Sequence, residues 1–386
     1  MKIKVLILIL VLIGLNYYFY KKSNKERNSN IELLRIISMV LIVAHHFALH
    51  GYGVNELKFS ENKLILDFLS LGGKIGVNIF IIISSYYLID KKYNVKSLLK
   101  SIYSVKIYAV LFLIVGIILK VNIEIVDIIK SVFPVIYSLY WFITGYIILY
   151  MIYPFLNIFL KGLSKEKIKL LIGICIVLYS CINVFLGATL FFSSIIWFVI
   201  LYIFTYYLKM YIDLNKINHK KIIVISILMY FVLYLVVVIF DILGSKYSIF
   251  RIHMLYFARE NSIFSIIIAF GLFLYFVKRS KYSSKIINYI SSGTLGVYLI
   301  HENVFVRPLL YGIFIDNREL TNINFSVFFC RAVCSVILIF ISCLIIGLII
   351  DYIISILFQY INFNFIEKKL LLYKQFLIGF GNKYEK

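Results

Sequence analysis

The residues best placed to do chemistry lie in one apolar run, Asn30-Ile-Glu-Leu-Leu-Arg-Ile-Ile-Ser-Met-Val-Leu-Ile-Val-Ala-His-His-Phe47. Glu32 precedes Arg35 by three residues, and Arg35 precedes His46 by eleven. Eleven residues are about three helical turns, so Arg35 and His46 share a face, separated by about 16 Å of rise. Glu32 lies a turn from Arg35 on the same side, and His45 points about 100° away. Ionisable groups inside a bilayer are costly and mark functional sites by default. Polar groups at both depths on one face suggest a polar track that enters the membrane from the cytoplasm. A neutral imidazole shielded from water serves as a general base, since burial disfavours its charged form. The competing readings are an arginine anchor that snorkels to the headgroups and a histidine that only packs helices together.

The element that carries these residues must lie in a membrane. Of 386 residues, 62% are hydrophobic and 15% charged, whereas soluble domains are about half apolar and a quarter charged. The net charge of +22 sits in short clusters between apolar runs, which argues against nucleic-acid binding and for the excess of cations on cytoplasmic loops. Cys175, Cys181, Cys330, Cys334 and Cys343 lie in or beside apolar stretches without a CxxC pair or a Cys/His cluster. Neither a metal site nor a disulfide framework is expected.

Spans of about 20 apolar residues are predicted near 31–50, 64–89, 101–119, 136–160, 168–187, 191–212, 221–243, 262–277, 286–301 and 325–357, with an additional run at 4–20. The expected fold is all-α, a polytopic integral membrane protein of about ten core transmembrane helices plus one N-terminal hydrophobic helix. Segments 21–27, 91–106, 161–169, 209–221 and 278–285 are strongly basic, and the loops between them are nearly balanced, Lys58 and Lys63 facing Glu56 and Glu61, for example. This alternation assigns the basic segments and the C-terminus to the cytoplasmic side of a cell membrane. The organisation is then a hydrophobic helix and basic segment over 1–27, a transmembrane domain over 28–358 and a basic, aromatic tail over 359–386. The run 4–20 has no small-residue cleavage site and reads as an uncleaved helix. Segment 244–261 reads as an amphipathic cap over a cavity.

Residues 28 to about 310 resemble acyltransferase family 3. Glu32, Arg35 and His46 stand where that family carries an acidic residue, an arginine three further on and a histidine eleven beyond it. Gly72-Gly73-Lys-Ile-Gly-Val-Asn-Ile-Phe is similar to the family's second-helix segment, with Ser85 in place of a usual glycine. Tyr140-Trp141-Phe142 through Pro154, and Ser291-Ser292-Gly-Thr-Leu-Gly-Val-Tyr-Leu-Ile-His301, resemble two later segments. Lys100 and Lys106 stand where many members carry an arginine-rich motif, which exchanges a bidentate fork for point charges.

The resemblance implies O-acylation, usually acetylation from cytoplasmic acetyl-CoA, of an extracytoplasmic polysaccharide or lipid-linked glycan. Membrane lipid, acyl-CoA and the glycan are then the partners, with no metal and no nucleic acid. His46, Arg35, Glu32 and His301 are the catalytic candidates, His301 as a second base beside Glu302. Arg35, Lys100 and Lys106 are the candidates for coenzyme A phosphates. Trp141 and Tyr140 could stack on sugar or belong to an interfacial aromatic belt. The alternative is a glycan flippase without acyl transfer, whose usual internal repeats and broken helices are not evident.

Overall fold

A computed structural model describes residues 27–54, 57–185, 193–314, 323–361 and 363, together with Gly14, Tyr17 and Tyr20. The remainder of the N-terminal run 4–20, the basic residues 21–26, the loop 187–192 and the tail beyond 363 lie outside the described residues.

Among the described residues the chain is helical, without a strand. We number the helices α1 Ser29–His46, α2 Glu61–Ser70, α3 Gly72–Leu88, α4 Val95–Ile118, α5 Ile125–Val132, α6 Trp141–Lys161, α7 Lys165–Cys175, α8 Ser194–Tyr211, α9 His219–Lys246, α10 Ser248–Ile252, α11 Ile263–Val277, α12 Lys285–Ser292, α13 Thr294–His301, α14 Arg307–Phe314 and α15 Phe325–Tyr360. Among the described residues, eight helical stretches are long and apolar enough to cross a membrane. The other two expected spans, 168–187 (described to residue 185) and 286–301, are helical but interrupted. The first passes from α7 into a π turn at Ile176–Ile182, and the second divides into α12 and α13 at Gly293.

Side-chain chemistry sets the helix ends. Asn28, Ser60, Asn94, Ser164, Asn218, Ser262 and Ser284 each cap a helix start by accepting a backbone N–H, as short polar side chains do. The basic connections gather at one end of the bundle. Lys209 pairs with Asp90, the Lys278 ammonium donates to the carbonyls of Asn215 and Ile217, and Asn30 donates to Ser280. Two sequence boundaries shift. Segment 91–106 is mostly helix, because α4 begins at Val95, and the span expected from residue 136 begins at Trp141, after a turn through Pro134.

Helix α1 runs through the centre. Ile31 and Leu34 join a core formed with α3, α9 and α11, while Met39, Ile42, Val43 and Phe47 join a second core with α6, α8, α13 and α15. Its most extensive partner is α3, and the glycines of α3 explain how close the two come. A Cβ on Gly72 would lie 2.8 Å from Leu41, one on Gly73 2.3 Å from the His45 ring, and one on Gly76 2.6 Å from the Ser38 carbonyl. Gly296 of α13 and Gly347 of α15 permit a similar crossing, a Cβ on the former meeting the latter's Cα at 2.9 Å.

One charge changes its place. Lys63, which reads in sequence as an outer-loop charge, is fully buried on α2. It pairs with Asp241 of α9 and lies 3.7 Å from Asp67. A buried charge requires such partners, and Asp241 stands 178 residues away, beyond the reach of any local pattern.

Candidate active site

Helix α1 continues through a π turn at Phe47–Gly51, making one stretch of 23 residues. His46 lies 17 residues beyond Ser29, about 26 Å along it. It is therefore in the half away from the basic end. His45 and His46 point in different directions. The His45 Nδ1–H donates to the Ser70 carbonyl and its ring fills the space left by Gly73.

His46 faces α13. Its Nδ1 is 2.9 Å from His301 Nε2 and 3.2 Å from Glu302 Oε1. His50, one turn further on, brings its Nε2 to 3.5 Å from the same oxygen, with its ring centroid 5.1 Å from that of His46. His301 is fully buried and His46 is 8% exposed. The protons follow from the acceptors. His301 Nδ1 lies 2.6 Å from the Val297 carbonyl, an oxygen that can only accept, so this nitrogen carries the hydrogen. Neutral His301 then presents a lone pair at Nε2. The Nδ1–H of His46 donates to that lone pair, with Glu302 Oε1 3.2 Å from the same nitrogen, which leaves His46 Nε2 as the basic atom. This tautomer follows from the partners. A proton taken up at Nε2 would create an imidazolium already facing a carboxylate.

The other candidates form a second group near the basic end. Arg35 donates to Glu32 at 2.7 Å, Ser291 donates to the second Glu32 oxygen at 2.5 Å, and Arg27 stands 3.9 Å from it. Glu32 thus joins α1 to α12 and orients two arginines. Arg27 also lines a cavity of ≈520 Å³ with Tyr86, Tyr87 and Lys281.

Lys100 and Lys106 are placed elsewhere. The Lys100 ammonium is 5.7 Å from the Phe358 ring, and that of Lys106 is 5.7 Å from the Phe133 ring. Neither makes an ion pair with Glu32 among the described residues. Tyr140 is 1% exposed and accepts a hydrogen bond from Asn303 at 2.7 Å, which removes it from an interfacial belt. Trp141 instead lies under the Lys74 ammonium, 4.9 Å from its ring centre.

Two cavities flank the histidines at the end away from the basic connections. One of ≈330 Å³ is lined by His50, Arg307 and Tyr311. The other, of ≈270 Å³, is lined by His45, Lys74, Arg251 and Arg259, beneath residues of the segment read as a cap. His50 is the member of the group that the sequence reading passed over. Its spacing of four residues from His46 was the available signal, since such pairs share a helix face.

The ligand atoms of His46, His301 and Glu302 lie within 4.8 Å of one another and could in principle hold a divalent ion. Two nitrogens bound to tetrahedral zinc at about 2.05 Å would stand roughly 3.3 Å apart. The 2.9 Å between His46 Nδ1 and His301 Nε2 is a hydrogen-bond distance.

A buried base backed by a carboxylate, in a bundle of apolar helices, is the equipment of a membrane-bound group-transfer enzyme. A family profile described as an acyltransferase domain matches residues 28–373, nearly the whole chain. The chain belongs to acyltransferase family 3 and is a membrane acyltransferase. The match runs past residue 310, the expected end of the resemblance, across α15 and into the tail. No curated protein and no solved structure shows significant similarity to the chain.

Proposed function

We propose that the protein transfers an acyl group, in the simplest case acetyl, from cytoplasmic coenzyme A to a hydroxyl of an extracytoplasmic polysaccharide or lipid-linked glycan. The observation that carries this reading is the placement of His46 against both His301 and Glu302. A flippase has no need of an imidazole held in one tautomer against a buried carboxylate. An acyltransferase needs one, because an alcohol is a weak nucleophile until a base removes its proton.

The basic end faces the cytoplasm in this reading, with the C-terminus on the same side of the cell membrane. The donor's phosphates are held near Arg35, in the cavity that Arg27 and Lys281 line. Lys100 and Lys106 on α4 are the competing assignment. The thioester, on the long pantetheine arm, reaches toward His46 along the α1 face, a distance of about 16 Å from Arg35. The acceptor hydroxyl approaches His46 from the opposite end.

His46 Nε2 removes the hydroxyl proton as the oxygen forms its bond to the thioester carbonyl carbon. The C–S bond then breaks, and the proton passes from His46 to the departing thiolate. Glu302 stabilises the transient imidazolium, and His301 keeps the ring in register. No metal takes part.

The test is acyl transfer by membranes that contain the protein, incubated with radiolabelled acetyl-CoA. Label should appear in glycan, be released by mild base as expected of an ester, and depend on His46. Glycan translocation without label would instead establish the flippase reading.

A further inference from the structure

We propose that the cavity under the 251–259 cap is an anion-binding acceptor subsite, and that the acylated glycan carries a carboxylate or phosphate close to the hydroxyl it acylates. This rests on the acyl-transfer reading for its name as an acceptor site, though the anion site stands on its own geometry.

Three cations, Lys74, Arg251 and Arg259, line the cavity. Lys74 has a carboxylate partner, Glu260 at 3.1 Å. The two arginines have none among the described residues. Arg251 makes only a long hydrogen bond to the Gly244 carbonyl, at 3.4 Å, and Arg259 lies over the Tyr256 ring, 3.8 Å from its centre. Stacking on an aromatic face fixes a guanidinium plane and leaves its edge available for bidentate contact with carboxylate or phosphate.

The position adds to the argument. These arginines lie at the end of the bundle away from the basic connections, the end at which membrane proteins carry few cations. Two arginines without carboxylates there run against topology and call for a ligand.

The cavity also adjoins the reacting group. His45 lines it, and the His45 and His46 ring centres are 5.3 Å apart. Lys74 is close enough for its charge to act on both His46 and Glu302. An anion held by the arginines would therefore present a neighbouring hydroxyl toward the base. An anionic lipid headgroup offers the same chemistry, and the experiment separates the two sources.

The full chain, in phosphatidylcholine nanodiscs, is titrated with methyl glucuronide, glucose 1-phosphate and neutral methyl glucoside, with binding read by ligand-observed NMR. Both anionic probes should bind at least about tenfold more tightly than the neutral one, as charge-assisted contacts imply, and added salt should weaken them. Arg251→Gln with Arg259→Gln should abolish the preference. Arg251→Lys with Arg259→Lys should retain part of it, which guards against misfolding of the first variant. Equal binding of the neutral probe, or an unchanged preference in a glutamine variant with a wild-type thermal transition, would overturn the proposal. So would displacement of the probes when phosphatidylglycerol is added to the nanodiscs, because the cavity would then belong to lipid. Since the assay contains no acyl donor, an anion preference without acetyl transfer would sink only the acyl-transfer reading.

Discussion

His46 Nδ1 and His301 Nε2 stand 2.9 Å apart although 255 residues separate them in the chain. That contact joins the central helix α1 to α13, and with Glu302 it converts an isolated histidine into an oriented base. If the relay works in this way, Glu302→Gln should lower acyl transfer about a hundredfold, the lower end of what a positioned proton-transfer group contributes. KM for the acyl donor should stay near wild type, because Glu302 lies far from the donor's phosphates. Steady-state kinetics in membranes would check both parameters.

The glycines of α3 give a structural prediction. Gly73→Ala would drive a methyl group into the His45 ring and push α1 away from α3. Overpacking of this kind costs about 1–3 kcal/mol, and the neighbouring His46 would shift with the helix. A lower thermal transition and reduced transfer are expected together. Gly173→Ala on α7, where nothing lies within 4 Å of the added carbon, is the matched control and should leave both unchanged.

Chelation tests the metal-free relay. Transfer should survive dialysis against EDTA without loss. An activity that vanishes and returns with added zinc would show that His46, His301 and Glu302 bind an ion instead.

Orientation can be read with cysteines placed in a cysteine-free background. Arg251→Cys should react with a membrane-impermeant maleimide on intact cells. Lys281→Cys should react only after permeabilisation. The reverse pattern would invert the topology and exchange the donor and acceptor ends.

The sequence made visible what periodicity and loop charge encode. The apolar runs, the shared face of Arg35 and His46, and the gathering of basic connections at one end all follow from local rules, and the helices respect them. Long-range partnerships were not visible. The spacing around His46 does not indicate that His301 will meet it, and Lys63 resembles any loop lysine until Asp241 arrives from α9. The π turn at Phe47–Gly51 is equally silent in sequence, yet it extends α1 and carries His50 into the site. Lys100 and Lys106 are candidates by their place in the family's pattern, and that place does not indicate that α4 brings them to the rings of Phe358 and Phe133 or that Arg27 stands beside Glu32.

The central claim is that His46 catalyses acyl transfer to a surface glycan. Its most direct test is the O-acetyl content of the host's surface polysaccharide, measured by proton NMR in strains carrying the wild-type protein, a deletion, or His46→Ala at matched protein level. The account predicts that the acetyl signals disappear in both mutant strains. Full acetylation with His46→Ala would contradict the role of His46, and unchanged acetylation in the deletion would contradict the glycan acceptor itself.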